Sequence, residues 1–149
     1  MSQSTDNDLG ELTSSRRLPA SARRVWQAFT TPSEVAAFWG GRHATVPADS
    51  VTIDLRVGGR FDLTTVGPDG STNPLAFVYT ELDEPHRIGL SEPLTGILTT
   101  IDIAEDGNHS LVTIHQRQVP VALRTGQAEA GLTGIFDALE ALISTPGGP

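Results

Sequence analysis

The sequence predicts an α+β fold in which an antiparallel sheet of about seven strands curls around one long C-terminal helix. Three observations point there. Hydropathy alternates with period two through most of residues 51–119, the pattern of half-buried strands. Residues 132–143 switch to a helical period. Turn signals divide the period-two stretch at short intervals, and short loops favour antiparallel neighbours because parallel pairing needs long crossovers.

Each element follows in order. Leu12, Ser14, Arg16 and Leu18 alternate with Thr13, Ser15 and Arg17, so residues 9–18 read as a strand. Ser21 is a candidate N-cap for a short helix with Val25, Trp26, Ala28 and Phe29 on one face. Thr31-Pro32-Ser33-Glu34 reads as a capping box: a hydroxyl at the cap, Pro at the first helical position and Glu three residues after the cap. That second helix carries Val35, Phe38 and Trp39 on one face and stops at Gly40-Gly41. Val51, Ile53, Leu55 and Val57 then alternate as a strand, and Gly58-Gly59 turns the chain into Phe61, Leu63 and Thr65. Gly67-Pro68-Asp69-Gly70 marks the next turn. Further strands are expected at about 75–82, 87–91, 96–104 and 110–118. Their turns fall at Asp83-Glu84-Pro85, Ser91–Pro93 and Glu105-Asp106-Gly107-Asn108.

The last helix is expected to start near Thr125. Leu132, Ile135, Phe136, Leu139, Leu142 and Ile143 form one face, opposite Asp137 and Glu140. Gly126, Gly131 and Gly134 cost its first half about 1 kcal/mol each relative to Ala, which fits either a loosely packed or closely approached segment or a frayed, late-starting helix. The resulting order is β-α-α-β6-α. A strongly twisted sheet of that size cannot stay flat, and a cavity results wherever helix and sheet part company.

Composition narrows the function. A chain of 149 residues fits one domain, expected at 9–143 between tails at 1–8 and 144–149. The formal charge of −8 argues against nucleic acid and against docking on anionic lipid. There is no Cys, so disulfides and thiolate chemistry are excluded. There is no Lys either; all ten basic residues are Arg, which excludes Schiff-base and P-loop lysine chemistry. No apolar run is long enough for a signal peptide core or a membrane span, so a cytoplasmic setting is expected. His43, His86, His109 and His115 show no metal-ligand spacing, and neither a metal nor a cofactor is expected. Arg16-Arg17 and Arg23-Arg24 read first as solvated charge, with a docking surface as the alternative.

Two stretches carry a family resemblance. LPASARRVWQAFTTPSEVAAFW at 18–39 and DLRVGGRF at 54–61 resemble the signature segments of the START/SRPBCC helix-grip superfamily, in the branch homologous to the heat-shock-protein-90 ATPase activator. TELDEPHRIGLS resembles that branch's proline-centred turn, and EAGLTGIFDALEALI its terminal helix, with Leu132 where a Trp usually follows the Gly. The resemblance implies a helix-grip fold over about 11–143. It also implies that Val112, Ile114 and Gln116 face the helix while His115 and Arg117 face solvent. The superfamily includes lipid and hormone carriers, polyketide cyclases and chaperone co-regulators, so fold alone does not decide function.

The signature residues Asp54, Arg56, Gly58, Gly59 and Arg60 read as structural: the glycines supply positive φ and Asp54 can pair with Arg56. The expected site is an apolar pocket between the C-terminal helix and the concave sheet, holding a hydrophobic or aromatic small molecule. Its candidate wall residues are Trp39, Phe61, Leu63, Phe77, Tyr79, Ile101, Val112, Ile114, Gln116, Leu132 and Phe136. An enzyme in the same pocket would need a polar pair from Tyr79, Glu81, Gln116, and His115 or Arg117 with the strand reversed. That signal is weak, and no catalytic residue is assigned. A protein-interaction domain is the third reading, and a homodimer is compatible with all three.

Overall fold

The computed structural model describes residues 9–40, 44–120 and 126–144. The tail at 1–8, residues 145–149 of the other, Gly41, His43 and Thr125 lie outside the described residues, and Ser144, expected in the C-terminal tail, is the last residue of the terminal helix. β1 (Leu9–Leu18) leads into α1 (Ala22–Thr30) and α2 (Pro32–Phe38). A single 3-10 turn at Ala48–Ser50 precedes β2 (Thr52–Ile53) and β3 (Arg60–Val66). Then follow β4 (Thr72–Asp83), β5 (Arg87–Ser91), β6 (Leu98–Asp106), β7 (His109–Pro120) and α3 (Gly126–Ser144). The seven strands form one antiparallel sheet in the order β1-β7-β6-β5-β4-β3-β2. The α+β reading with its terminal helix is what the structure shows.

Local chemistry explains most boundaries. The Ser21 side chain accepts the Arg24 N–H at 3.2 Å, capping α1 as expected. Val25, Trp26, Ala28 and Phe29 are all buried. The capping box at Thr31 does not form, because the Thr31 side chain makes no cap hydrogen bond. Its Glu34 is taken instead by Arg24, whose guanidinium donates at 2.6 Å. A charge-assisted bond outcompetes a neutral backbone donor.

The expected strand over 51–57 is also corrected. Only Thr52–Ile53 pairs, and Leu55 and Val57 are 42% and 60% exposed. The Asp54 N–H donates to the Arg60 carbonyl at 2.9 Å, so the chain has already begun to turn. Gly58 has φ +86°, and a Cβ on Gly59 would collide with the Asp54 carbonyl oxygen. Gly58 donates to Tyr79 O at 2.8 Å and Tyr79 donates to Gly59 O at 3.0 Å, which docks this turn onto β4. Arg56 Nε donates to Asp54 Oδ2 at 2.9 Å, a pair formed across a turn rather than along a strand.

Two bulges reset the inward faces. Thr80 is inserted between the Tyr79 and Glu81 pairings, so Leu82 takes the inner position and Glu81 turns out to meet Arg87 at 3.1 Å. Glu81 therefore does not join Tyr79 on the concave side. In β7, Gln118 adopts φ 59°; Gln118 is exposed and Val119 is buried, correcting the simple alternation. Between the bulges the register is regular. One row crosses the sheet as Tyr79, Leu90, Thr99, Gln116 and Leu12. The next runs Leu82, Ile88, Ile101, Ile114 and Ser14.

α3 packs on α2, β1 and α1. Its inward Leu132, Phe136 and Leu139 are buried, as the helical period predicts. Arg16 on β1 donates to Asp137 and Glu140 of α3, each at 2.9 Å, and lies 5.6 Å from the Phe136 ring centroid. Arg17, Arg23 and Arg24 pair with Asp106, Glu84 and Glu34. The two Arg doublets are thus committed within the chain.

Candidate functional site

A cavity of about 190 Å³ lies between the helices and the concave sheet. Its roof is Leu132 and Ile135 of α3 with Trp39 from the end of α2. Its floor takes Leu90 of β5, Thr99 and Ile101 of β6, and Ile114 and Gln116 of β7 from the two rows already described, and adds Leu75 and Phe77 of β4. Glu92, immediately after β5, completes the rim. The wall is mainly apolar, and Thr99, Gln116 and Glu92 are its polar side chains.

Trp39 is positioned by an aromatic chain. Its ring meets Phe61 at 5.3 Å and Phe77 at 6.0 Å, both edge-on, and Phe38 at 6.1 Å. Phe38 in turn meets Phe29 edge-on at 5.2 Å. These contacts tie the end of α2 to β3 and β4, so Trp39 is held against the cavity rather than turned to solvent.

Two of these polar side chains have a definite origin. Thr99 and Gln116 are direct cross-strand partners on the inner face. Neither side chain makes a hydrogen bond to another described residue. Their donors and acceptors are open to an occupant. Gln116 is half-buried, while the neighbouring His115 lies on the outer face with Nε2 2.7 Å from Glu11 Oε1. Arg117 is exposed. Val112 and Ile114 are buried, so the inward face of β7 is the one that carries Gln116.

Of the residues expected on the wall, Trp39, Phe77, Ile101, Ile114, Gln116 and Leu132 come together around the cavity. Phe61, Tyr79, Val112 and Phe136 are buried off its wall, and Leu63 is buried beside a shallow depression near β3 and β4. Sequence reasoning missed Leu75, Leu90, Glu92, Thr99 and Ile135. The alternation of Ile88 with Leu90 and of Thr99 with Ile101 held the signal for two of them. Glu92 lies in a loop, where no periodicity marks direction.

Tyr79 is 1% exposed and its hydroxyl has no hydrogen-bond partner among the described residues. Burial, and secondarily the Asp54 carboxylate, hold its phenol well above the ordinary tyrosine range. It stacks on Phe61 at 6.1 Å with the ring planes 10° apart. Among the described residues no cluster of His, Asp and Glu is arranged to hold a metal ion. No described helix is long and apolar enough to cross a membrane.

A long helix gripped by a curved antiparallel sheet, with space left between them, defines a helix-grip domain. The model of the family described as Activator of Hsp90 ATPase homolog 1-like protein matches residues 19–144, and the chain belongs to that family. Solved structures agree on the fold. A protein from Chromobacterium violaceum superposes with TM-score 0.81 at 24% identity, covering 89% of this chain and 96% of that one. One from Mycobacterium smegmatis gives 0.74 at 24%, covering 96% and 95%. The AHSA1-like protein from Aeromonas hydrophila gives 0.76 at 20%, covering 89% and 92%. Among curated proteins, none matches the chain. Family and fold are those of a ligand-binding or co-chaperone-type domain.

Proposed function

We propose that the chain binds a hydrophobic or aromatic small molecule in the cavity between α3 and the sheet. The observation that carries this reading is the unfilled, mainly apolar space lined by Trp39, Phe77, Ile101, Ile114, Leu132 and Ile135. A side-chain gap of this size forfeits packing on all sides, a loss that an occupant restores. Volume sets the ligand's scale. An engineered apolar cavity of about 150 Å³ accepts benzene, whereas drug-sized ligands occupy roughly 300–1,000 Å³. The occupant is therefore the size of one ring with a short substituent, or a short branched chain. At about 0.5–0.7 kcal/mol per heavy atom, well below the ceiling for very small ligands, an occupant of about eight heavy atoms binds with a dissociation constant on the order of 0.1–1 mM.

Thr99 and Gln116 would orient the substituent, since a polar group entering their side of the cavity finds unspent hydrogen-bonding capacity. Titration with benzyl alcohol, followed by fluorescence, tests the reading. Trp39 lines the cavity and Trp26 lies in the core, so a saturable change that vanishes in Trp39→Phe reports the site. A signal linear in ligand, or one retained in Trp39→Phe and lost in Trp26→Phe, contradicts it. The family description also supports a co-chaperone-type role. Filling the cavity would leave such a role untouched, so the two readings separate on one variant.

A further inference from the structure

We infer that the cavity selects a cation: its ligand is a small aromatic or branched aliphatic ammonium compound. This rests on the binding reading above and names the ligand's class. Glu92 is the only ionisable side chain on the cavity wall among the described residues. It forms no ion pair with any described Arg, so its charge is not already spent within the fold.

The position of Glu92 is fixed by its loop. Its N–H donates to the Ile97 carbonyl at 3.0 Å, and its own carbonyl accepts from Gly96 N at 2.8 Å and Thr95 N at 3.2 Å. Thr95 Oγ1 donates to Glu92 Oε1 at 3.1 Å, which orients the carboxylate and leaves the other oxygen without a partner among the described residues. The carboxylate is thus placed before any ligand arrives, and binding costs little side-chain entropy.

The aromatic wall reinforces the same choice. Pairing of Val78 with Ser91 brings the preceding Phe77 beside the following Glu92, and Trp39 lies 6.0 Å from Phe77, edge-on. Ring faces attract a cation within about 6 Å of their centroids, and the attraction grows as water is excluded. An anion would meet the Glu92 charge at close range and the net charge of −8 on approach. A neutral ring would gain the apolar contacts alone.

Three isosteres decide the matter: benzylamine, benzyl alcohol and sodium benzoate, titrated at pH 7 with the Trp39 signal as readout. The wild type should bind benzylammonium roughly tenfold or more tightly than benzyl alcohol, with benzoate weakest. Glu92→Gln keeps an acceptor for Thr95 and should bring the ammonium and the alcohol within about twofold of each other. Glu92→Lys should move benzoate to the top of the order. Saturable alcohol binding with no ammonium preference, or a preference that survives Glu92→Gln, overturns the inference while the cavity reading stands. No saturable binding of any of the three overturns both.

Discussion

The Tyr79 hydroxyl is buried with no partner among the described residues, and an unsatisfied buried donor costs about 1–3 kcal/mol. Tyr79→Phe keeps the ring stacked on Phe61 and removes the orphan group. Urea unfolding should therefore show the variant more stable by about 1 kcal/mol, whereas an isosteric loss of a satisfied hydroxyl would lower stability. The same burial fixes a pH dependence. The folded phenol holds its proton above the unfolded value of about 10, so this contribution is intact below pH 10 and is lost progressively above it. Tyr79 is the only tyrosine, so the ultraviolet absorbance of phenolate should lag behind a free tyrosine until the chain unfolds. In Tyr79→Phe this component of the alkaline instability should disappear. The inward direction of Tyr79 was legible from alternation with Phe77. That of Glu81 was not, because a bulge is an inserted residue that leaves no mark in hydropathy.

Elements are held by contacts of two kinds. The Arg16 guanidinium clamps β1 to α3 through Asp137 and Glu140 while lying over Phe136. Arg16 and Asp137 are 28% and 29% exposed, so the pair is worth more than a free surface bridge and less than a buried one. Arg16→Met should cost about 1–2 kcal/mol, with the loss shrinking in high salt. A double-mutant cycle with Asp137→Asn measures the coupling, and a zero coupling energy would remove the clamp from the account. The turn before β3 depends on close approach instead. Gly59→Ala should destabilise by about 2–3 kcal/mol, since the new methyl meets the Asp54 carbonyl and the turn must leave Tyr79. The motif glycines announced that turn, yet Leu55 and Val57 imitated a strand beside it. Their alternation reflects no burial, so the period alone misled. The capping box misled for a related reason: the pattern named a local partner for Glu34, and Arg24 on the previous helix is a stronger one.

At the scale of the whole molecule, the antiparallel meander and the terminal helix followed from period, turn spacing and family resemblance, because each depends on residues near one another in sequence, whereas the pairing of β1 with β7 joins the first strand to the last and was not legible there. The cavity depends on register across four strands and on how far two helices stand off the sheet. Period two tells which residues share a face but not where that face is left uncovered. Hence Phe61 and Val112 read as wall residues and lie in packed core, while Glu92 and Thr99 read as loop and strand polarity and lie on the wall. If the cavity is a receptor, filling it should remove binding and not stability. Ile114→Phe should abolish the benzyl alcohol response with the unfolding midpoint held or raised.

The most direct test is a methyl spectrum of isoleucine-labelled protein titrated with benzyl alcohol. Ile101, Ile114 and Ile135 line the cavity, while Ile88 and Ile103 are buried away from its wall. Saturable shifts confined to the first three methyls, with a common dissociation constant, are the expected result. Methyl shifts that never saturate, or that move Ile88 and Ile103 as far as Ile114, would contradict a receptor cavity beneath α3.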